Sequence, residues 1–133
     1  MYAQIREDII TAVKAPFEAA FPGVAIVFDN APFDWNAPPD RYVCVELSTQ
    51  YGRTIGMRAE PKTRISGFIY VEAHSRAGLG SKWGTTVHDW FASTLEYKRK
   101  GVAQIQHGEP DGNTTSKGFY IQSLKLYFYA DPA

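Results

Sequence analysis

Apolar residues recur at helical spacing near the start of the chain. The members of this stripe are Ile5, Ile9, Val13, Phe17 and Phe21. Charged side chains occupy the other faces, so the pattern predicts an amphipathic first helix. Pro16 lacks the amide hydrogen that a helix interior uses, and it is expected to break or kink this helix near Ala15.

A second helical stripe lies between about Lys82 and Tyr97. Its apolar members are Trp83, Val87, Trp90, Phe91 and Leu95. Ser81 is a suitable N-cap for this helix. The segment Lys98-Arg99-Lys100-Gly101 suits its C-terminus, because cations match the helix dipole and glycine allows a left-handed exit.

Short apolar runs, several of them alternating with polar residues, predict five strands. The runs are Val24 to Phe28, Tyr42 to Thr49, Arg64 to Ala73, Val102 to His107 and Gly118 to Tyr129. Gly67 is expected to mark a bulge in the third strand. The order α-β-β-β-α-β-β predicts one α+β domain over residues 1–133, with both helices on one face of a largely antiparallel or mixed sheet.

Three polar segments separate the runs. Residues 29–41, rich in Asp, Asn and Pro, predict an ordered connector between strands. Residues 50–62 are rich in glycine and basic residues and predict a long loop, of a kind that is usually functional or disordered. Residues 108–117 predict a polar loop between the last two strands.

Composition narrows the class of protein. The chain has 133 residues, 44% of them hydrophobic, which is enough for one domain with its own core. Fourteen basic and fourteen acidic side chains cancel, so no global field attracts nucleic acid or an anionic membrane. The single cysteine, Cys44, requires no oxidising compartment. The start lacks an export signal and no apolar run approaches the roughly 18 residues of a membrane span, so an intracellular soluble product is expected.

The sequence holds no convincing catalytic, cofactor or metal constellation, and we predict that the protein is not an enzyme. The three histidines are far apart and share no cysteine or carboxylate at zinc-ligand spacing. There is no Gly-x-Ser-x-Gly motif. His88 and Asp89 are adjacent on a helix and point in different directions. Carboxylate pairs near turns are favoured there for backbone hydrogen bonding; the pairs are Asp29 with Asp34 and Asp40 with Glu46.

Residues 78–84 form a glycine-rich junction between a strand and a helix. Such junctions bind phosphate on helix N-terminal amides. The third glycine, Gly84, comes one residue late for the dinucleotide motif, and no Gly-Lys-Ser/Thr is present. A structural turn and cap is the favoured interpretation, with a nucleotide-binding or other small-ligand protein as the rival.

The segment 53–64 carries an excess of three positive charges. Its cations are Arg53, Arg58, Lys62 and Arg64, against Glu60 alone. The simpler interpretation is a solvent-exposed loop. The functional one is contact with a polyanion or an acidic partner, since clustered cations bind phosphates by releasing counterions. Tyr51 is the one aromatic residue nearby, which is few for stacking single strands.

The last strand is apolar on both sides. One side has Tyr120, Leu124, Leu126 and Phe128, and the other has Phe119, Ile121, Tyr127 and Tyr129. The second set is a candidate subunit interface, because a solvated edge would not carry so much apolar surface. A central strand buried on both faces gives the same pattern and needs no partner.

Taken in order, several of these features resemble a family of small phage proteins. They are the Ile5-Arg6 helix, the turn Asp29-Asn30-Ala31-Pro32-Phe33, Ile55-Gly56, Gly67, the Gly78/Gly80 junction and the closing aromatic strand. Their order and spacing are similar to those of the tail-terminator-like, or tail-completion-like, minor tail proteins of tailed phages and prophages. The chain departs from the pattern at Trp35-Asn36 and in its tryptophan-rich second helix.

The resemblance implies a structural virion protein. Members of the family form a ring, commonly hexameric, that caps the tail tube and joins it to the head. It implies self-association, contacts with tail-tube and head-completion proteins, and a loop near residues 50–63 that reaches a neighbour or the ring lumen, where DNA passes. The location would be the bacterial cytoplasm during assembly and then the virion tail. A head-tail connector or completion protein is the nearest alternative.

Overall fold

The computed structural model describes residues 1–29, 31–55 and 62–131. Its helices are α1, Tyr2–Ala20, and α2, Lys82–Leu95. The strands within the described ranges are β1, Ala25–Phe28; β2, Arg41–Ile55; β3, Lys62–Arg76; β4, Arg99–Lys100; β5, Ala103–Ser116; and β6, Phe119–Ala130. The predicted α+β class with two helices is confirmed, and within the described ranges the sheet has six strands rather than about five.

The strands form one mixed sheet in the order β1-β2-β3-β6-β5-β4. β1 runs parallel to β2, and every other neighbouring pair is antiparallel. β6 lies between β3 and β5, which makes the last long strand a central one. The extra strand, β4, has two residues and pairs only with Ala103 and Gln104; a run that short gives no sequence pattern.

Both helices pack their apolar stripes against the same face of the sheet. Helix α1 buries Ile5, Ile9, Val13 and Phe17, and α2 buries Trp83, Val87, Phe91 and Leu95. These side chains join alternate residues of the long strands in one cluster; the strand members include Val43, Val45, Ile69, Val71, Ile105, Leu126 and Phe128. The predicted core alternation of β2, β3 and β6 is therefore confirmed.

The sequence predicted a break or a kink at Pro16, and the break is wrong, because α1 continues through this residue to Ala20. Proline removes one backbone hydrogen bond there. The turn is held instead by Phe17, which is fully buried and whose ring centroid lies 4.8 Å from Phe21, 5.3 Å from Trp90 and 6.0 Å from Phe91. Burial of large rings on both helices outweighs the loss of a single hydrogen bond.

The C-terminus of α2 also differs from the prediction. The helix ends at Leu95, and the left-handed residue that follows it is Tyr97, with φ of 59°; Gly101 has the same φ but comes later in the chain. Lys98 Nζ donates a hydrogen bond to the backbone oxygen of Ser93 at 2.6 Å. Gly101 lies in the turn between β4 and β5, where a Cβ would collide with the carboxylate of Asp8. Ser81 does occupy the N-cap position, although its hydroxyl makes no capping bond.

Two segments predicted as loops belong to strands. Residues 50–55 lie in β2 and residues 62–64 in β3, and residues 108–116 lie in β5. The β5–β6 hairpin turns at Lys117 and Gly118, which have φ of 50° and 82°, as a two-residue hairpin turn requires. Most of residues 107–116 are exposed, so no buried face imposed an alternating pattern on them.

Gly67 is predicted to be required for the pairing of β2 with β3. The β2 register shifts between Thr49 and Tyr51, so a bulge lies opposite this glycine, but its extra residue belongs to β2 and not to the third strand as predicted. A Cβ at Gly67 would lie 2.0 Å from the backbone oxygen of Ser48. Gly67→Ala should therefore lower the free energy of unfolding by about 2–3 kcal/mol, measured by urea denaturation.

Gly52→Ala is the matched control. A Cβ there would lie 2.7 Å from the Thr63 methyl group, whose exposed side chain can move, and at an ordinary contact distance of 3.9 Å from the Arg64 backbone oxygen. The control should lie close to the parent. Equal destabilisation by the two substitutions would mean that backbone contact at the bulge is not the cause.

Candidate interaction surfaces

The sheet face opposite the helices is covered only in part. We call it the open face. At one end, part of the connector 31–40 packs on the sheet, and a second, smaller hydrophobic cluster forms there. At the other end, aromatic residues of β3 and β6 are half-exposed. A cavity lies beside the connector, between these two regions.

The connector end is held by stacked rings. Tyr42 of β2 stacks on His74 of β3 with centroids 4.5 Å apart and 19° between planes. Phe33 of the connector lies 5.2 Å from Tyr42, and Trp35 lies 4.7 Å from Phe33. Arg76 fixes the end of the connector, because its backbone N–H donates to the Asp40 carbonyl at 2.8 Å and its Nε to the Asp40 carboxylate at 3.2 Å.

Two predicted interface residues are buried within this cluster. Phe119 and Ile121 are only 5% and 8% exposed, and they pack against Tyr42. The Arg76 guanidinium lies 4.5 Å from the centroid of the Phe119 ring. At this end of β6, the central-strand interpretation accounts for the apolar residues without a partner.

The other two predicted interface residues lie in a half-exposed aromatic strip. We define the strip as Phe68 and Tyr70 of β3 with Tyr127 and Tyr129 of β6. Phe68 lies 6.4 Å from Tyr127 and 6.3 Å from Tyr70. Two cations lie on it: Lys125 Nζ is 4.6 Å from the Phe68 centroid and Arg64 Cζ is 4.3 Å from the Tyr129 centroid. The strip therefore offers ring faces and positive charge side by side.

The basic segment forms a two-stranded arm. β6 pairs with β3 only from Ile65 onward, so residues 50–55 and 62–64 pair with each other beyond the end of β6. Arg53 and Arg64 are partners across the arm, and Arg53 and Lys62 are exposed. Arg58 lies outside the described residues.

Arg64 is already paired within the chain. Its guanidinium donates to both carboxylate oxygens of Asp131, at 2.7 and 2.8 Å. These hydrogen bonds hold the pKa of Asp131 below its ordinary value. Of the four predicted cations, Arg64 thus forms an ion pair within the fold and also contributes positive charge to the surface.

The cavity between the connector and the sheet has a volume of about 600 Å³. Its charged lining is acidic, with Asp29, Glu46 and Glu72, and its aromatic lining is Phe28, Trp35 and Tyr70. Asp29 is paired with Arg6 at 2.8 Å. Trp35 is 59% exposed, an unusual state for so large an apolar ring.

Cys44 lies in the wall of this cavity. Burial, reinforced by the negative charge of Glu72, raises the pKa of the thiol to about 12. Burial together with Cys44 and Glu72 also raises the pKa of Tyr42. A thiol with such a pKa stays protonated at neutral pH, so Cys44 is neither a nucleophile nor a thiolate ligand there.

The glycine-rich junction has a structural use for its glycines. Gly78 and Gly80 have φ of 95° and 86° in the turn between β3 and α2. A Cβ on Gly84 would collide with the Gln122 side chain, so this glycine lets α2 approach β6. The glycines of this junction therefore have a role in the packing of α2 on the sheet, and that role involves no ligand.

The histidines are dispersed, as the sequence indicates. His88 Nε2 lies 3.2 Å from the backbone oxygen of Gln122, which can only accept, so this nitrogen carries the proton. Asp89 is exposed. Over residues 1–29, 31–55 and 62–131, no group of three or more His, Cys, Asp or Glu side chains could hold a metal ion. In the same ranges neither helix is long and apolar enough to cross a membrane.

The cavity and the connector cluster were not predicted. Glu46 and Glu72 stand in alternating strand sequences, and only the register shows that Glu46 lies opposite Tyr70 and Glu72 opposite Cys44. A usable signal was present in the connector, where Phe33 and Trp35 are large apolar residues in an otherwise polar segment.

Comparison with known proteins supports the fold. Several solved structures match the chain, and one of them has a TM-score of 0.74 and 14% sequence identity, over 100% of this chain and 96% of the other. At that identity, the likeness concerns the fold alone. No protein-family model matches the chain, and no curated protein matches it.

We expect His88 to make stability depend on pH. Burial is the main cause that lowers the pKa of His88, so below about pH 6.5, the ordinary histidine value, the unfolded chain binds the proton better. Stability attributable to this residue is complete above that pH and is lost as the pH falls through it. His88→Gln keeps a donor near Gln122 and removes the titration.

The measurement is urea unfolding at pH 7.5 and 5.5. The loss of stability between these values should be smaller in His88→Gln than in the parent. His107→Gln, at an exposed strand position, should still show the loss that His88 causes. A His88→Gln protein with an undiminished loss would contradict the assignment.

Proposed function

We propose that this protein is a structural subunit of tailed phage or prophage assembly, similar to a tail terminator. It forms a ring, hexameric in the family it resembles, which caps the tail tube and joins it to the head. The observation that carries the proposal is the aromatic strip on the open face. This strip is a surface suited to a protein partner, in a chain whose sequence features follow the family in order.

The strip has the chemistry of a contact surface. Tyrosine and phenylalanine bury large areas at low entropic cost, and tyrosine and arginine are enriched among residues that dominate binding energy. Tyr127 and Tyr129 are both part-exposed; Arg64 lies on the ring of Tyr129, and Lys125 lies on the ring of Phe68, which contacts Tyr127. Contact with a second copy would bury these rings and cover the sheet face that neither helix reaches.

The arm supports the same proposal. It extends past β6 and carries Arg53 and Lys62 exposed. In a ring, a two-stranded extension reaches a neighbouring subunit or the lumen. Its cations suit tail-tube protein with acidic residues, or the phosphates of passing DNA.

The experiment mixes the purified protein with assembled tail tubes and images the tube ends by electron microscopy, with light scattering of the protein alone. Rings on one end are expected. The double variant Tyr127→Ser with Tyr129→Ser should assemble at least about tenfold less well, because each ring is expected to contribute strongly to binding. Far-UV circular dichroism checks that this variant is folded.

Tyr2→Ser is the control, since Tyr2 is 57% exposed on α1 and away from the strip. It should cap tubes like the parent. Bare tubes with the parent protein, and a protein that remains monomeric in their presence, would contradict the proposal and favour a head-tail connector or completion protein.

A further inference from the structure

We infer that the cavity beside the connector is a binding site for an organic cation of the guanidinium or alkylammonium type. Its volume of about 600 Å³ lies within the range of small-ligand sites. The inference does not depend on ring assembly, because the site lies within one chain.

The charges of the cavity favour a cation. Three carboxylates line it, and none of the described residues that line it is Lys, Arg or His. Arg6 neutralises only Asp29. Glu46 has no ion-pair partner among the described residues, and the group facing Glu72 is the His74 ring, whose Nε2 is 3.8 Å away. Two carboxylates thus remain available to accept hydrogen bonds from a bound donor.

The placement of these carboxylates follows from the strand register. Glu46 pairs with Tyr70 and Cys44 with Glu72, so the two glutamates are diagonal neighbours on one face, roughly 7–8 Å apart at their backbones. That spacing accommodates one planar or tetrahedral cation between them. Repulsion between two such carboxylates is relieved when the cation binds.

The aromatic walls select the same ligand class. The face of an aromatic ring is electronegative and attracts ammonium and guanidinium groups. Trp35 is held against Phe33 and Tyr42, at 4.7 and 6.3 Å, while 59% of it remains exposed. A ring that is positioned but uncovered can close over a cation without losing much conformational entropy.

A metal ion fits less well. The Cys44 thiol stays protonated because burial and Glu72 raise its pKa, and in the described residues the acidic and histidine side chains do not converge as three ligands. Cations of the required type have two sources: a free small molecule, or a side chain of another subunit. The exposed Arg53 of a second copy is such a side chain.

The test is a titration of the full chain with arginine amide at pH 7.5. Binding is monitored through the Trp35 indole signal in ¹H–¹⁵N NMR spectra. The Trp35→Phe variant assigns that signal. Both ligands are Nα-acetylated, which removes the charge of the α-amino group, and citrulline amide, which then has the same shape and no charge, is the control ligand. A saturable shift is expected with arginine amide and not with citrulline amide.

Glu46→Gln combined with Glu72→Gln should weaken binding of arginine amide at least about tenfold, since each lost hydrogen bond is to a charged group. The single variants provide the measurement if the double variant is unfolded. Glu109→Gln, on exposed β5, should bind like the parent. No saturable shift, or equal affinity in parent and double variant, would overturn the inference.

A dilution series of the protein alone separates the two sources. If the Trp35 signal shifts with protein concentration and Arg53→Gln abolishes this shift, the bound cation is a side chain of a second copy. If the series is flat while arginine amide binds, the cation comes from another molecule. Both results support a cation site, and they identify different ligands for it.

Discussion

The structure depends on the burial of two apolar helix stripes against one face of a single sheet. Phe17 of α1 and Phe91 of α2 meet with ring centroids 6.0 Å apart, so the two helices share a core and cannot be placed on opposite faces. The sheet consequently has a face that no helix covers. What that face carries is the part of the molecule available for function.

The two ends of the uncovered face differ in how far their side chains are buried. At the connector end, Phe33 and Tyr42 join His74 and Phe119 in a small cluster that needs no partner. At the other end, the strip remains half-exposed. β6 supplies residues to both ends and also to the main core, because it is central and its alternate side chains point to opposite faces. The apolar residues on one side of β6 therefore belong to the main core, and those on the other side belong to the connector cluster or the strip.

The elements that bury a face were predictable from sequence, since burial imposes a period on the chain. Both helix stripes and the alternation of Ile69 and Val71 are examples. The extensions of β2 and β5 were not predictable because their side chains are mostly exposed and carry no period. The continuation of α1 through Pro16 and the left-handed conformation of Tyr97 were not predicted for a related reason: tertiary packing and the following hairpin decide them, and local propensity does not.

The candidate surfaces follow from register, which sequence does not supply. Glu46 of β2 lies opposite Tyr70 of β3, Tyr70 opposite Lys125 of β6, and Lys125 opposite Glu109 of β5. The charges along this row therefore alternate, with Tyr70 between Glu46 and Lys125 and with Glu109 beside Lys125. Glu46 is on the cavity side of this row and Lys125 on the strip side.

Tyr70 belongs to both surfaces. It lines the acidic cavity, and its ring centroid lies 6.3 Å from Phe68 in the strip. A partner that packs on the strip and a cation that enters the cavity would therefore meet the same side chain from two sides. Because the ring is fixed to one strand of a rigid sheet, either contact restricts the positions open to the other. The two surfaces are thus physically linked at this residue, and a partner that presents a cation beside an apolar group can occupy both at once.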